Sequence, residues 1–336
     1  MKYIVGILIL LLTIIFATSI GSVPIDFDTI LKSIVSKLQL WNFDEPINEI
    51  TETVIWNIRL PRVILAAIVG ASLGLSGATY QGVFRNPLAD PYLIGVASGS
   101  GLAATIIFVS GLPLIIFNLN LLPIGTFIGG ITAVMCAYMI SKISQSRSIT
   151  TIILAGVAIG AFASALSGIL ILKSDPDVRP LLSWLMGGFI SGQWNKVIFL
   201  SPYLCFGSII IYFYARSINI LQLSDDHAAS LGVNVRYIRF ILIMASTLIT
   251  ASAVSFSGII GFVGLASPHT VRLIWGEDYR KILPMSAIVG SIFLVVSDLI
   301  SRIIMSPGEL PVGVITALFG APFFIYLLIY SGKKIK

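Results

Sequence analysis

Charge is scarce in this sequence: Asp, Glu, Lys and Arg together make up 11% of 336 residues, while 57% are hydrophobic. A water-soluble domain carries about twice that share of charge, so a soluble fold of this size is excluded and lipid must stand where water would. Cysteine is equally rare. Cys136 and Cys205 stand alone, each inside an apolar run, which excludes a disulfide framework or a thiolate metal site and leaves them as small apolar packing residues. Two histidines, His227 and His269, are too few to build a metal or heme centre. No Gly-x-x-x-x-Gly-Lys-Ser/Thr string occurs anywhere, so if the chain works with ATP, another chain must bind it.

What the sequence has instead is a series of apolar stretches of about 15–25 residues, with nearly all the charge in the breaks between them. A hydrocarbon core about 30 Å thick takes roughly 20 helical residues to cross, because lipid offers no partner to an unpaired backbone amide. The predicted spans are Tyr3–Gly21, Val63–Val83, Tyr92–Ser110, Leu122–Ile140, Ile149–Leu172, Val197–Ala215, Ile238–Ser257, a short Phe262–Trp275, Ile282–Ile300 and Leu310–Tyr330. The fold class is therefore all-α: a polytopic membrane protein of about ten transmembrane helices, forming a single domain over residues 1–336 with no soluble insert large enough for its own core. The longest break, 22–62, carries Asp26, Asp28, Trp41, Asp44, Glu45, Glu49 and Glu52 and is predicted as a lid of short helices on the outer face.

Positive residues are retained on the cytoplasmic side of a membrane. With the N-terminus inside, the cytoplasmic set is Lys2, Arg85, Lys142, Arg147, Arg216, Arg236, Arg239, Arg272, Arg280, Lys281, Lys333, Lys334 and Lys336. Lys32, Lys37, Arg59, Arg62, Lys173, Arg179, Lys196 and Arg302 fall on the other side. Thirteen against eight predicts both termini in the cytoplasm, and the net charge of +6 then needs no nucleic acid to explain it. A competing reading of the first span is a secretory signal cleaved near Ala17-Thr18-Ser19.

Small residues recur every fourth position at Gly156, Gly160, Ser164 and Gly168 and again at Gly70, Gly74 and Ala78. Such stripes let helices approach closely; lining a permeation path is the other reading of the first of them. Two breaks are more specific. In Arg85-Asn86-Pro87-Leu88-Ala89-Asp90-Pro91 the paired prolines force a rigid turn, with Asp90 capping the next span. In residues 216–237, Ser224 reads as an N-cap, Asp225 and Asp226 suit the positive end of a helix dipole, and Gly232 suits the C-terminal cap. The result is a two-turn helix, Asp225–Leu231, too short to persist alone, held either by a cytoplasmic partner or by the chain's own loops. Asp298 lies four residues before Arg302 and can pair with it on one helix face; a role as a proton relay is the alternative. Ser267 and His269 are two residues apart on one helix and cannot serve as nucleophile and base, so no enzyme site is predicted.

Blocks along nearly the whole chain resemble the FecCD-type permeases, the membrane subunits of ABC importers for iron-siderophores, heme and cobalamin. They are Arg59-Leu60-Pro61-Arg62, Asn86-Pro87-Leu88-Ala89-Asp90-Pro91, Leu154-Ala155-Gly156-Val157-Ala158, Trp184-Leu185-Met186-Gly187-Gly188, Ala229-Ser230-Leu231-Gly232-Val233, Gly261-Phe262-Val263-Gly264-Leu265 with Pro268-His269, and Glu309-Leu310-Pro311-Val312-Gly313. The resemblance implies a ten-helix type II importer fold and a homodimer, or a dimer with a close relative, with the substrate path at the two-fold interface. It also implies two ATP-binding subunits inside and a solute-binding protein outside, with ATP and Mg on the partner subunit and no cofactor on this chain. Under the same resemblance Asp225, Asp226, His227, Ala228, Ala229, Ser230, Leu231 and Gly232 correspond to the helix that couples to the ATPase, carried by it so that the spans on either side tilt. Asn86, Leu88, Ile149 and Thr150 correspond to the cytoplasmic gate, although Ile149 departs from the small hydroxyl residue that the family's cobalamin permeases carry. Arg59, Arg62 and Arg302 correspond to arginines that receive glutamates of the binding protein; anchoring at the lipid interface is the plainer reading of the first two. The implied cargo is an iron chelate, a ferric siderophore first, with heme or cobalamin also compatible. An ion-coupled secondary transporter is the alternative function; it predicts internal repeats with broken spans and a buried coupling carboxylate.

Overall fold

Long apolar runs without charge leave the backbone no partner but itself, and the chain accordingly folds as helices. In the computed structural model the described residues are 2–21, 25–37, 39, 48–111, 113–116, 119–144, 149–173, 178–190, 192–306 and 308–331. Among them ten helices reach 13 residues or more: α1 (Lys2–Ser19), α2 (Leu60–Phe84), α3 (Val96–Val109), α4 (Leu121–Ile143), α5 (Ile149–Lys173), α6 (Trp194–Phe213), α7 (Val235–Ser257), α8 (Val263–Trp275), α9 (Tyr279–Ile304) and α10 (Val312–Ser331). Seven of the helical stretches are long and apolar enough to cross a membrane, while Val96–Val109 and Val312–Tyr326 are shorter apolar stretches. The only β-structure among the described residues is a two-residue antiparallel pairing of Ile115–Ile116 with Leu119–Asn120.

At the centre stands α2, buried along nearly its whole length and packed on α7, α8 and α9. The predicted stripe Gly70, Gly74 and Ala78 makes this possible. A methyl group at Gly70 would lie 2.3 Å from the Gly290 carbonyl oxygen, and one at Gly74 would lie 2.2 Å from that of Ser286, so the α2 and α9 backbones touch. Gly77 meets Gly264 of α8 just as closely. Side chains then lock the register: Ser76 Oγ donates to the Ser246 carbonyl at 3.2 Å, and the Tyr80 and Thr247 hydroxyls lie 2.8 Å apart. The second stripe divides. Gly156 packs on the backbone of Ile94, but Gly168 has open space beside it.

Several predicted boundaries move. Tyr92–Ser110 is not one span: Asp90 Oδ1 accepts from the Tyr92 amide at 2.8 Å and starts a 3-10 turn, Pro91–Ile94, and Gly95 at φ +102° turns the chain left-handed before α3 begins. Asp90 lies beside Gly264, level with Leu73–Gly77 of α2, so beyond the exposed Pro87 and Leu88 the chain folds back into the bundle, with Ala89, Pro91, Ile94 and Gly95 buried. Between α7 and α8, residues 258–262 are likewise irregular, with Gly258 and Phe262 both at positive φ. Irregular backbone at this depth must find partners inside the protein. Ile260 finds both in one side chain: its amide donates to the Tyr92 hydroxyl at 3.3 Å and its carbonyl accepts from that hydroxyl at 3.0 Å.

The break 22–62 also ends earlier than predicted. After a helix at Phe27–Lys37 and one turn at Glu49–Thr53, a π-helical stretch, Val54–Arg59, runs directly into α2. Trp41, Asp44 and Glu45, like Arg147, Lys333, Lys334 and Lys336, lie outside the described residues. The two cysteines face outward from α4 and α6 instead of packing inside, because the outer faces of these helices are apolar and lipid accepts a thiol there.

The contacts also fix which ends lie together. Gly6 of α1 packs on Met285 and Ile288, near the start of α9, while Tyr279 touches Gly82 and Arg85 reaches Leu221. The start of α1 therefore lies at the end of the bundle that holds the helix Asp225–Ser230. Replacing Gly74 with leucine drives a side chain into the α9 backbone and is expected to destabilise the protein by about 1–3 kcal/mol or more, whereas Gly168→Ala should leave monomer stability unchanged. Thermal unfolding in detergent checks both.

Candidate functional site

Charged side chains gather at the two ends of α2. At the end near residue 60, Arg62 is 8% exposed and closes a four-membered ion cluster. Its Nε and Nη2 donate to Asp298 Oδ1 at 3.0 and 2.9 Å, and its two terminal nitrogens donate to Glu309 at 2.9 Å each. Asp298, 1% exposed, also pairs with Arg302 Nε at 3.2 Å, the intrahelical pair predicted from the four-residue spacing. Two guanidinium groups balance two carboxylates, the pairing that ionic groups taken out of water require. Arg302 and Arg59 turn in addition to the last carbonyls of α1: Arg302 donates to Ala17 and Ile20 at 3.0 and 3.2 Å, and Arg59 to Thr18 and Ser19 at 3.0 and 2.9 Å. Cations at a helix C-terminus satisfy orphan carbonyls and oppose the dipole. Each of the three predicted docking arginines thus holds internal partners. Beside them lies a cavity of about 350 Å³ whose lining includes Arg62, Trp184, Lys196, Ser255, Ser257 and Glu309.

At the other end the short helix spans Asp225–Ser230, one residue less than predicted, with Ser224 Oγ accepting from the His227 amide at 3.3 Å and Gly232 at φ +81° as its C-terminal cap. Its own chain holds it. Asp225 accepts from Arg239 at 2.8 Å through both oxygens and from Arg85 as well, while Ala228 is fully buried. Ala228 therefore faces inward and does not join Ala229 and Leu231 on an outer apolar face. Asp226, His227, Ala229, Ser230, Leu231 and Gly232 are exposed, Leu231 to 61%. The Arg239 hydrogen bonds, followed by those of Arg85, hold the Asp225 carboxyl below the usual carboxylate range. Asp278, which caps the start of α9, is held low as well, by Arg280 first and Asn219 after burial is set against it.

Of the predicted gate residues, Asn86 and Leu88 are joined: Asn86 Oδ1 accepts from the Leu88 amide at 2.9 Å, and Leu88 is exposed. Thr150 is exposed in the first turn of α5, and the Ile149 side chain lies outside the described set. α5 reaches the re-entrant segment through Gly156 on Ile94. Two residues escaped the sequence reading. Arg85 was visible only as the first letter of a turn motif, and Glu309 only as a carboxylate before Leu310-Pro311; neither distant partner leaves a local signal. A shallow apolar hollow of about 570 Å³ runs along α10, lined by Leu185, Met186, Ile259, Val314, Leu318 and Pro322 among others.

A bundle of apolar helices with ion clusters at both ends of its central helix, a re-entrant segment and a short displayed helix has the architecture of a membrane permease. The profile of the FecCD transport family matches residues 9–330, and the chain belongs to that family. It is 41% identical to the cobalamin import system permease protein BtuC of Halobacterium salinarum over 83% of this chain and 74% of that one. With the Fe(3+)-citrate import system permease protein YfmE of Bacillus subtilis it shares 38% identity over 84% of each. A solved ABC transporter in an inward-facing conformation superposes with a TM-score of 0.86 at 31% identity, covering 98% of this chain and 99% of that one. The chain is thus a permease subunit of the ABC importer type and not an enzyme.

Removing one member of a buried ion cluster leaves the rest uncompensated, so Arg62→Ala is expected to cost about 3–5 kcal/mol. Asp28→Asn, which breaks the exposed Asp28–Lys32 pair, is expected to cost no more than about 0.5 kcal/mol. Denaturation of the two variants beside the parent protein checks the difference. For Asp225 the folded-state pKa is depressed, so its contribution is complete above the ordinary carboxylate range and is lost only as pH falls below it. Stability measured from about pH 6 to pH 8 should show no titration from this group.

Proposed function

We propose that this chain is the membrane-spanning half of an ATP-driven importer that carries an iron chelate, a ferric siderophore first, across the cytoplasmic membrane. The observation that carries this reading is the short helix at Asp225–Ser230: pinned from behind by Arg85 and Arg239, it presents Leu231 and its polar neighbours outward, as a docking knob requires. Two ATP-binding subunits, each with its own ATP and Mg, would seat there. The start of α1 shares that end, and the balance of Lys and Arg favours it as the cytoplasmic side. Asn86 and Leu88, with Ile149 and Thr150, then narrow the cytoplasmic mouth.

A second copy of the chain is the partner we assign to the open face of α5, where Phe162, Ser164 and Gly168 are exposed, with the path between the copies. An extracytoplasmic solute-binding protein docks at the Arg62 end. A glutamate from it would have to share Arg59, Arg62 or Arg302 with the carbonyls and carboxylates they already hold, so docking there should reorganise the cluster rather than simply add a charge pair. The ferric-chelate cargo is supported by the ferric-citrate relative, and the apolar hollow along α10 suits a chelate that hides its metal.

Leu231→Asp is expected to leave insertion intact, release the ATP-binding subunits and reduce uptake in vesicles to background. Uptake of radiolabelled ferric chelate with and without vanadate, and copurification of the ATP-binding subunits, decide the matter; unchanged uptake overturns the coupling role, and uptake by the purified chain alone overturns the importer reading.

A further inference from the structure

Arg85 occupies an uncommon position. It closes α2 with φ +51°, a left-handed conformation that few residues other than glycine adopt, and it is followed at once by the Asn86-Pro87-Leu88 turn. Its guanidinium reaches across to the 221–225 segment, where Nε donates to the Leu221 carbonyl and Nη2 to Asp225. Gln222 ties the same two segments in the opposite sense, donating through Nε2 to the Gly82 carbonyl at 3.0 Å.

The turn beyond Arg85 is stiff. Pro87 fixes one backbone angle, Asn86 Oδ1 holds the Leu88 amide at 2.9 Å, and the Ala89 amide donates to the Asn86 carbonyl at 3.0 Å. A displacement of Arg85 therefore carries Leu88 with it as one body. The short helix is already continuous with α7 through residues 231–234, and Arg239 on α7 grips Asp225 from that side. Without Arg85, a pull on the short helix reaches α7 and, through Gln222, Gly82 of α2, but no side chain links it to the residue that begins the Asn86–Leu88 turn. With it, the same pull reaches the end of α2 and the turn that follows.

We propose that Arg85 is a positioning residue of the transport cycle: through Asp225 and Leu221 it makes the Asn86–Leu88 turn follow the short helix, so that one push at Asp225–Ser230 moves both α7 and the gate. This rests on the reading of that helix as the ATPase contact. The clasp is built for the task, because Asp225 is half-exposed and its two arginines approach from different spans.

The test uses the assembled transporter in vesicles, with Cys136→Ser and Cys205→Ser removing the two native thiols and Leu88→Cys supplying one at the turn. The rate of maleimide labelling at position 88 is measured without nucleotide and in the vanadate-trapped state. With Arg85 present the two rates should differ. In Arg85→Gln the difference should vanish and uptake per ATP hydrolysed should fall about tenfold, while the ATP-binding subunits stay bound and continue to hydrolyse. Should Arg85→Gln fail to fold or insert, Asp225→Asn breaks the same contact from the other side and should also abolish the labelling difference. A labelling difference that persists in either variant overturns the relay, as does loss of the ATP-binding subunits from Arg85→Gln, which would make Arg85 part of the docking surface. Leu231→Asp, run alongside, separates the two layers: intact uptake there overturns the reading of the helix, whereas lost uptake there with a persisting labelling difference in Arg85→Gln overturns the relay alone.

Discussion

Contact between the backbones of α2 and α9 is the constraint on which the remaining structure depends. Lipid is as apolar as leucine, so helices in a bilayer gain little by hiding apolar surface from one another and must gain instead by close approach. Gly70, Gly74 and Gly290 allow that approach, and the Ser291 hydroxyl, donating to the Ala67 carbonyl at 2.7 Å, fixes its register. A helix held this way on several sides cannot bend, and α2 becomes a rod of 25 residues, about 37 Å long at 1.5 Å per residue. Its two ends carry Arg62 and Arg85, and each arginine opens a different charge cluster.

Those clusters differ in kind. Around Arg62 the carboxylate of Asp298 is 1% exposed, the charges balance, and α1, α2 and α9 meet with Glu309 in one knot. Breaking such a knot strands a charge without water, so this end is locked. Around Asp225 the carboxylate side chain is 47% exposed, and water can take over its hydrogen bonds as the arginines withdraw. That contact can open and close at modest cost. A rod fixed firmly at one end and held by a more exposed clasp at the other can pivot about the fixed end, and on the proposed reading the exposed end is the one that meets the ATP-binding subunits.

Span existence was legible because apolar length has one physical cause, the thickness of the hydrocarbon. Where spans break was less so. Tyr92–Ser110 reads as continuous because Tyr92, Leu93 and Ile94 are as apolar as the helix they precede; only Asp90 and Gly95 mark the turn, and neither says that it lies inside the bundle. At the site, local signals were recovered well. Ser224 caps its helix, Gly232 ends it, and Asp298 pairs with Arg302 as four-residue spacing requires. Long-range partners were not: Arg62 lies 236 residues from Asp298, and Arg85 lies 140 from Asp225, separations over which no periodicity operates. The α1 carbonyls that Arg59 and Arg302 hold are long-range partners of the same kind.

The two irregular segments complete the picture of where the bundle can yield. α3 has 14 residues and α8 has 13, each too short to cross a hydrocarbon core of about 30 Å, and each begins inside the bundle beside the other's lead-in. Tyr92 joins those lead-ins through a single hydroxyl that serves both backbone polar groups of Ile260. The two short helices run to opposite ends: α3 reaches the cavity beside Arg62, which Phe108 lines, while α8 ends close to Gln81 and Tyr279, where Arg272 donates to both side chains. α8 is thus bound to the same end of α2 that carries Arg85, and the two ends differ in how far water can reach the carboxylate that each holds, Asp298 at one and Asp225 at the other.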